Sequence, residues 1–154
     1  MRCPCSSYPA MSTPFQPFYA VRYQPVPALL RGTVLRPLST LEFTEACEML
    51  LAAAREHRCP YWLLDGRADA DTRPPDVYEW LSDEFLPRVH RVLGRVPTLA
   101  FVASPEFWHA LRARSFAPQM VIAGTFRAGW FTNEDAALSW LATYRAVLPA
   151  PLGT

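Results

Sequence analysis

The run Tyr61-Trp62-Leu63-Leu64-Asp65 constrains this chain most. It is too short for a helix, apolar on both alternating faces, and bounded by Cys59-Pro60 before it and Gly66 after it. Such a run reads as a strand buried on both sides. Long segments of helical period lie on either side of it. Together they predict an α/β domain with this strand in the sheet interior. Asp65 then stands at the strand's carboxyl end, where open α/β sheets meet their ligands.

Before this strand, Phe18 to Gln24 alternates with Tyr19, Val21 and Tyr23 on one face. Pro25-Val26-Pro27 makes a turn into a second strand, Ala28 to Arg36, and the short connection predicts an antiparallel hairpin. Ser39 and Glu42 have capping-box spacing, with Leu38 and Phe43 at the staple positions. Phe43, Ala46, Cys47, Leu50, Leu51 and Ala54 then form one apolar helical stripe that ends by Arg58. After the central strand a polar loop leads to Pro75, a first-turn proline. The second helix presents Val77, Leu81, Phe85, Val89 and Val92, is bent by Pro87, and ends at Gly94. Thr98 to Ala103 is another buried strand, and Ser104-Pro105-Glu106 opens a third helix running to about Arg114. Residues 115–124 are ambiguous, with Met120 to Ala123 readable as a strand or a helix end. Thr125 to Phe131 is a strand. Thr132 and Asp135 have capping-box spacing for a last helix presenting Ala137, Leu141, Tyr144 and Leu148.

A length of 154 residues suits one domain. The expected organisation is a disordered Pro/Ser-rich leader over 1–16, a single domain over 17–148 and a loose tail over 149–154. Met11 is an alternative start to Met1. The formal net charge of +1 gives no footprint for nucleic acid. All fifteen basic residues are arginine, a bias expected of a GC-rich gene rather than of phosphate recognition. No run reaches about 18 apolar residues, so no membrane insertion is expected. Without a signal-peptide core, a cytoplasmic setting is expected. Cys3, Cys5, Cys47 and Cys59 fit no common zinc spacing. Cys47 and Cys59 fall in core positions, so neither a structural metal nor a disulfide is expected.

The order hairpin, then αβαβαβα, resembles the STAS superfamily of sulphate transporter and anti-sigma-factor antagonist domains. In particular it resembles the bacterial anti-sigma-factor-antagonist-like group. Trp62-Leu63-Leu64-Asp65, the segment WLSDEFLPR from Trp80 to Arg88 and the segment FTNEDAALSWL from Phe131 to Leu141 carry the resemblance, which spans about residues 18–147. It implies a mixed sheet with helices packed on it and a binding module rather than an enzyme. Antagonists of that family are switched by phosphorylation of a serine just after the central strand. Here the loop from Asp65 to Arg73 has no serine, and Thr72, its only hydroxyl, falls later than the family's position. Its composition argues against a phosphorylation switch.

That loop supplies the candidate site: Asp65, Arg67, Asp69 and Arg73. With Asp71 and Asp76, its carboxylates have oxygen-ligand chemistry suited to Mg²⁺. The favoured reading is a solvated loop whose acids accept from Arg67 or Arg73 or cap the next helix. Trp80 and Trp108 are candidates for a pocket or a partner surface, against a background of plain core packing, which also suits Trp62 and Trp140. His57, His90 and His109 have no nucleophile in sequence reach, and glycine-rich phosphate loops are absent. No cofactor or catalytic residue is expected.

Three readings follow. The first is a non-enzymatic regulatory or protein-interaction module acting through the loop and the second helix. Its protein partner is not legible, and homodimerisation is a low-cost way to cover a thinly clad sheet face. The second is a binding domain for a small apolar molecule, with a pocket lined by Trp80, Phe85 and Trp108. The third is an enzyme that uses Asp65 with His90 or Arg67, which requires these groups to converge in a cleft.

Overall fold

The computed structural model describes residues 16–69, 73–113 and 120–147. The leader up to residue 15, Asp71 and Thr72 in the loop, residues 114–119 and the tail from Leu148 lie outside the described residues. The hairpin forms as expected, β1 (Tyr19–Pro25) with β2 (Ala28–Val34). They pair antiparallel, and Tyr19 stands opposite Val34. Helix α1 (Thr40–His57) begins with the expected capping box. The Glu42 N–H donates to Ser39 Oγ at 3.1 Å, and the Ser39 N–H donates to Glu42 Oε1 at 3.0 Å. Arg58, in the left-handed conformation, closes the helix by donating its N–H to the Ala54 carbonyl.

The central strand is β3 (Tyr61–Asp65). Trp62 is fully buried, and its indole N–H donates to the Cys59 carbonyl at 2.9 Å, so the one polar atom of the largest core side chain is satisfied. The second helical stretch comprises α2 (Pro75–Trp80), a π turn over Leu81–Phe85, and α3 (Leu86–Leu93). Pro87 has no N–H and would crowd the carbonyl of Asp83 in a straight α-helix. The helix widens just before it, and the Leu86 N–H reaches back to the Leu81 carbonyl. The extra residue shifts the buried stripe. Phe85, Leu86 and Val89 are inside, while Val92, expected inside, is 40% exposed. Gly94 ends α3 with φ of 70°.

Strand β4 (Thr98–Val102) follows, then α4 (Pro105–Ala113), capped by Ser104 Oγ, which accepts from the Phe107 N–H at 3.2 Å. Met120–Ile122 is a strand, β5, which resolves the ambiguous segment as far as it is described. It pairs antiparallel with β6 (Arg127–Phe131). In the last helix, α5 (Glu134–Val147), the cap falls one residue later than the sequence suggests. Asn133 Oδ1, not the Thr132 hydroxyl, accepts from the Ala136 N–H at 2.8 Å. Asparagine is at least as good a cap as threonine, so the choice costs nothing.

The six strands lie in the order β1-β2-β3-β4-β6-β5, and β2, β3, β4 and β6 run parallel. This is the expected mixed α/β sheet with β3 in its interior. Residues in register share a face. The rows Leu30–Trp62–Leu99–Ala128 and Gly32–Leu64–Phe101–Trp130 look toward α1. The row Arg31–Leu63–Ala100–Gly129 looks toward α5, which packs on β3, β4 and β6. Among the described residues, no helix is long and apolar enough to cross a membrane.

Candidate functional site

On the α1 side, where β3 and β4 end, the packing leaves a cavity of about 160 Å³. Its floor is Trp62, Leu64, Leu99 and Phe101 from the sheet. Its walls are Phe43, Cys47 and Leu50 of α1, Leu81 and Phe85 of the π turn, and Phe107 of α4. Trp130 closes one side and is stacked on Phe101 with ring centroids 5.2 Å apart. Tyr19 reaches the cavity from β1 by lying across Gly32. A Cβ on Gly32 would collide with the Tyr19 hydroxyl and lie 3.0 Å from Leu50 Cδ2, so only glycine leaves this path open.

The loop after β3 forms the polar rim. It is fastened to the sheet by the Gly66 N–H, which donates to the Val102 carbonyl at 2.8 Å. Asp65 Oδ1 accepts from the Arg67 N–H and from Arg67 Nε, each at 3.0 Å, and Oδ2 accepts from Nη2 at 2.7 Å. The hydrogen-bonded Arg67 guanidinium holds the Asp65 carboxyl below the ordinary carboxylate range, against the opposing effect of burial. Arg67 is half exposed, so this pair contributes little to stability.

The second pair is of another kind. Asp69 and Arg73 form an ion pair with side chains only 12% and 6% exposed. Both also bind the backbone of Leu38 ahead of α1. The Leu38 N–H donates to Asp69 Oδ1 at 3.1 Å, and Arg73 Nη1 donates to the Leu38 carbonyl at 3.2 Å. The Arg73 guanidinium also sits 4.5 Å from the centre of the Phe43 ring, a cation–π contact. This pair clips the loop to the start of α1. Its burial makes it sensitive to loss of either partner.

The four loop residues singled out from sequence, Asp65, Arg67, Asp69 and Arg73, therefore come together, and three of them line the cavity. The two tryptophans do not line it. Trp80 stacks on the outer side of Phe85 at 5.3 Å and lines a separate open groove with Asp83, Glu84, Arg88 and Arg91. Trp108 is half-buried on α4, and its neighbour Phe107 faces the cavity instead. Of the expected pocket, Phe85 alone is in the wall. The histidines lie elsewhere: His57 stacks on Tyr23 with ring centroids 3.9 Å apart, and neither His90 nor His109 borders the cavity. Asp65 thus converges with Arg67 but not with His90.

Sequence reasoning missed Tyr19, Phe43, Tyr78, Phe101 and Trp130 as cavity residues. A signal existed for Tyr19. A glycine inside a strand pattern marks a close approach, and Gly32 lies in the strand paired with that of Tyr19. The thiol of Cys47 is buried and pushed up to about 12, so it is a neutral wall group near neutral pH.

No family model matches the chain, and no curated protein matches it. A solved structure from Shewanella loihica PV-4, an uncharacterised protein of the DUF3478 family with a SpoIIAA-like fold, is similar to it. The match covers 84% of this chain and 98% of the other, with 19% identity and a TM-score of 0.47. The likeness is one of fold.

Proposed function

We propose that this protein is a non-catalytic, STAS-like binding module whose cavity takes a small, largely apolar molecule in the cytoplasm. The observation that supports it is the apolar cavity of about 160 Å³ at the carboxyl ends of β3 and β4, under a rim made by the Asp65–Arg73 loop. Open α/β sheets bind ligands at this end. An apolar cavity of about 150 Å³ is sufficient to hold one benzene ring. The rim's charges are already neutralised in pairs, and no histidine, serine or threonine lines the cavity among the described residues. This favours capture over turnover.

The test is a thermal melt with a panel of single-ring apolar molecules, toluene first. Toluene is expected to raise the Tm, because a ligand that binds only the folded state stabilises it. Ala46→Leu, which adds bulk to the cavity wall, is expected to remove most of that rise. A panel without effect on either protein would refute the reading. Robust hydrolysis in a general substrate screen, lost in Asp65→Asn, would replace it with an enzyme.

A regulatory protein-interaction role is the second reading. The groove at Trp80, flanked by Asp83, Glu84, Arg88 and Arg91, favours it, because half-buried tryptophan with arginine is a common interface pairing. Loss of a defined partner in Trp80→Ala, with an unchanged Tm, is the outcome it requires.

A further inference from the structure

We infer that the cavity takes an uncharged, single-ring molecule bearing one hydroxyl or carbonyl group, whose oxygen binds at the Tyr19 hydroxyl. This rests on the ligand-binding reading above and narrows it to a chemical class.

Shape comes first. The walls are mainly aromatic, with Phe43, Trp62, Phe85, Phe101, Phe107 and Trp130 around a space fit for one ring. Ring faces and edges of this kind favour a flat, unsaturated body.

Charge comes second. Asp65 is bound to Arg67 and Asp69 to Arg73, so a cationic ligand finds no free counter-ion at the rim without breaking a pair. An anion fares no better. Burial pushes the Tyr19 hydroxyl above its ordinary range, and the Asp65 and Asp69 carboxylates push in the same direction. Whatever opposes a negative charge on Tyr19 opposes one on a neighbouring ligand.

Polar contacts come third. The Tyr19 hydroxyl reaches the cavity across Gly32. It can donate to a carbonyl or hydroxyl oxygen and accept from a hydroxyl. Arg73 Nε, on a cavity-lining side chain, is a buried donor without an acceptor among the described residues, as are Arg31 Nε and Arg145 Nε away from the cavity. Buried donors of this kind are normally satisfied. A ligand oxygen would complete the site without adding charge.

Titration calorimetry of the full-length chain at pH 7 with phenol, toluene and benzoate, in the parent and in Tyr19→Phe, tests this. Phenol and toluene are expected to bind the parent, with benzoate at least about tenfold weaker than phenol, because burial disfavours its charge. In Tyr19→Phe the phenol-to-toluene affinity ratio is expected to fall about three- to tenfold, the worth of one hydrogen bond, while toluene affinity stays the same. Benzoate as the tightest ligand, or an unchanged ratio in Tyr19→Phe, would overturn the inference. In either case toluene would still bind, and the broader reading would stand. Failure of all three probes to bind would overturn both.

Discussion

The two faces of the sheet are covered by opposite means. The α1 side carries α1, the α2–α3 stretch and α4, yet it holds the cavity. Among the described residues the other side carries α5 alone, and it is closely packed. Ala137 and Leu141 are fully buried there, and Gly129 admits the edge of Phe131 and the Trp140 ring, each nearer than about 3.4 Å to where a Cβ would be. Arginine stems complete the cover. Arg145 lies 4.9 Å from the centre of the Tyr61 ring, Arg127 lies 4.6 Å from that of Tyr144, and Arg31 pairs with Glu134 at 3.1 Å. Amount of cover does not determine density of packing. One helix with long, flat-headed side chains fills its face, because arginine buries its stem while its head stays in reach of water. The opposite face has more helices and leaves room, a pattern suited to holding something else.

The largest difference between the two faces is expected at their ion pairs. Arg73→Ala leaves Asp69 buried without its partner and is expected to cost about 3–5 kcal/mol. Arg31→Ala, on the other face, removes a partly exposed partner of Glu134 and is expected to cost less than about 1 kcal/mol. Equal shifts in the denaturation midpoint would mean that the rim pair is as solvated as the surface one. Packing gives the next effect. Leu63→Ala empties a filled face and is expected to cost about 3–4 kcal/mol, whereas Leu64→Ala enlarges an existing space and is expected to cost about 2 kcal/mol. Urea titrations with the reverse order would show the cavity to be collapsed in solution.

The smallest expected effect is in acid. The folded-state pKa of Asp65 lies below its unfolded value, so its contribution is complete above about pH 4. That contribution is lost as pH falls through the lower folded value. Glu42, drawn down to about 2 by Arg36 and the Ser39 N–H, acts in the same direction and window. Arg67→Ala is expected to flatten the Asp65 part of this acid slope by less than about 1 kcal/mol. An unchanged slope in denaturant midpoints between about pH 2 and pH 5 would remove Arg67 as the cause.

Features fixed by local chemistry were legible in the sequence. The capping box at Ser39 and Glu42, the stripe of α1 and the interior place of β3 each depend on neighbours in the chain or on simple periodicity. The rim was legible for the same reason, since Asp65, Arg67, Asp69 and Arg73 are close in sequence. The cavity was not. Tyr19, Phe101 and Trp130 come from three strands and face one space only through sheet register, which periodicity does not fix. Trp80 and Trp108 drew attention by residue type, yet helix rotation decides which of two adjacent side chains faces inward. At α4 that side chain is Phe107. The same kind of ambiguity moved the cap of α5 from Thr132 to Asn133, where two good capping residues adjoin.

The π turn sets which side chains of the second helical stretch point inward. An α-helix turns by about 100° per residue, so a wide turn rotates the face that follows it relative to the face before it. Here Phe85 and Leu86 are both buried, at 1% and 2% exposure. With one residue taken out of the wide turn, Val77, Leu81, Leu86, Val89 and Leu93 would follow an ordinary α-helical stripe. Phe85, at the end of the wide turn, lines the cavity. The width of this turn thus bears on the cavity's size as well as on the course of the helix.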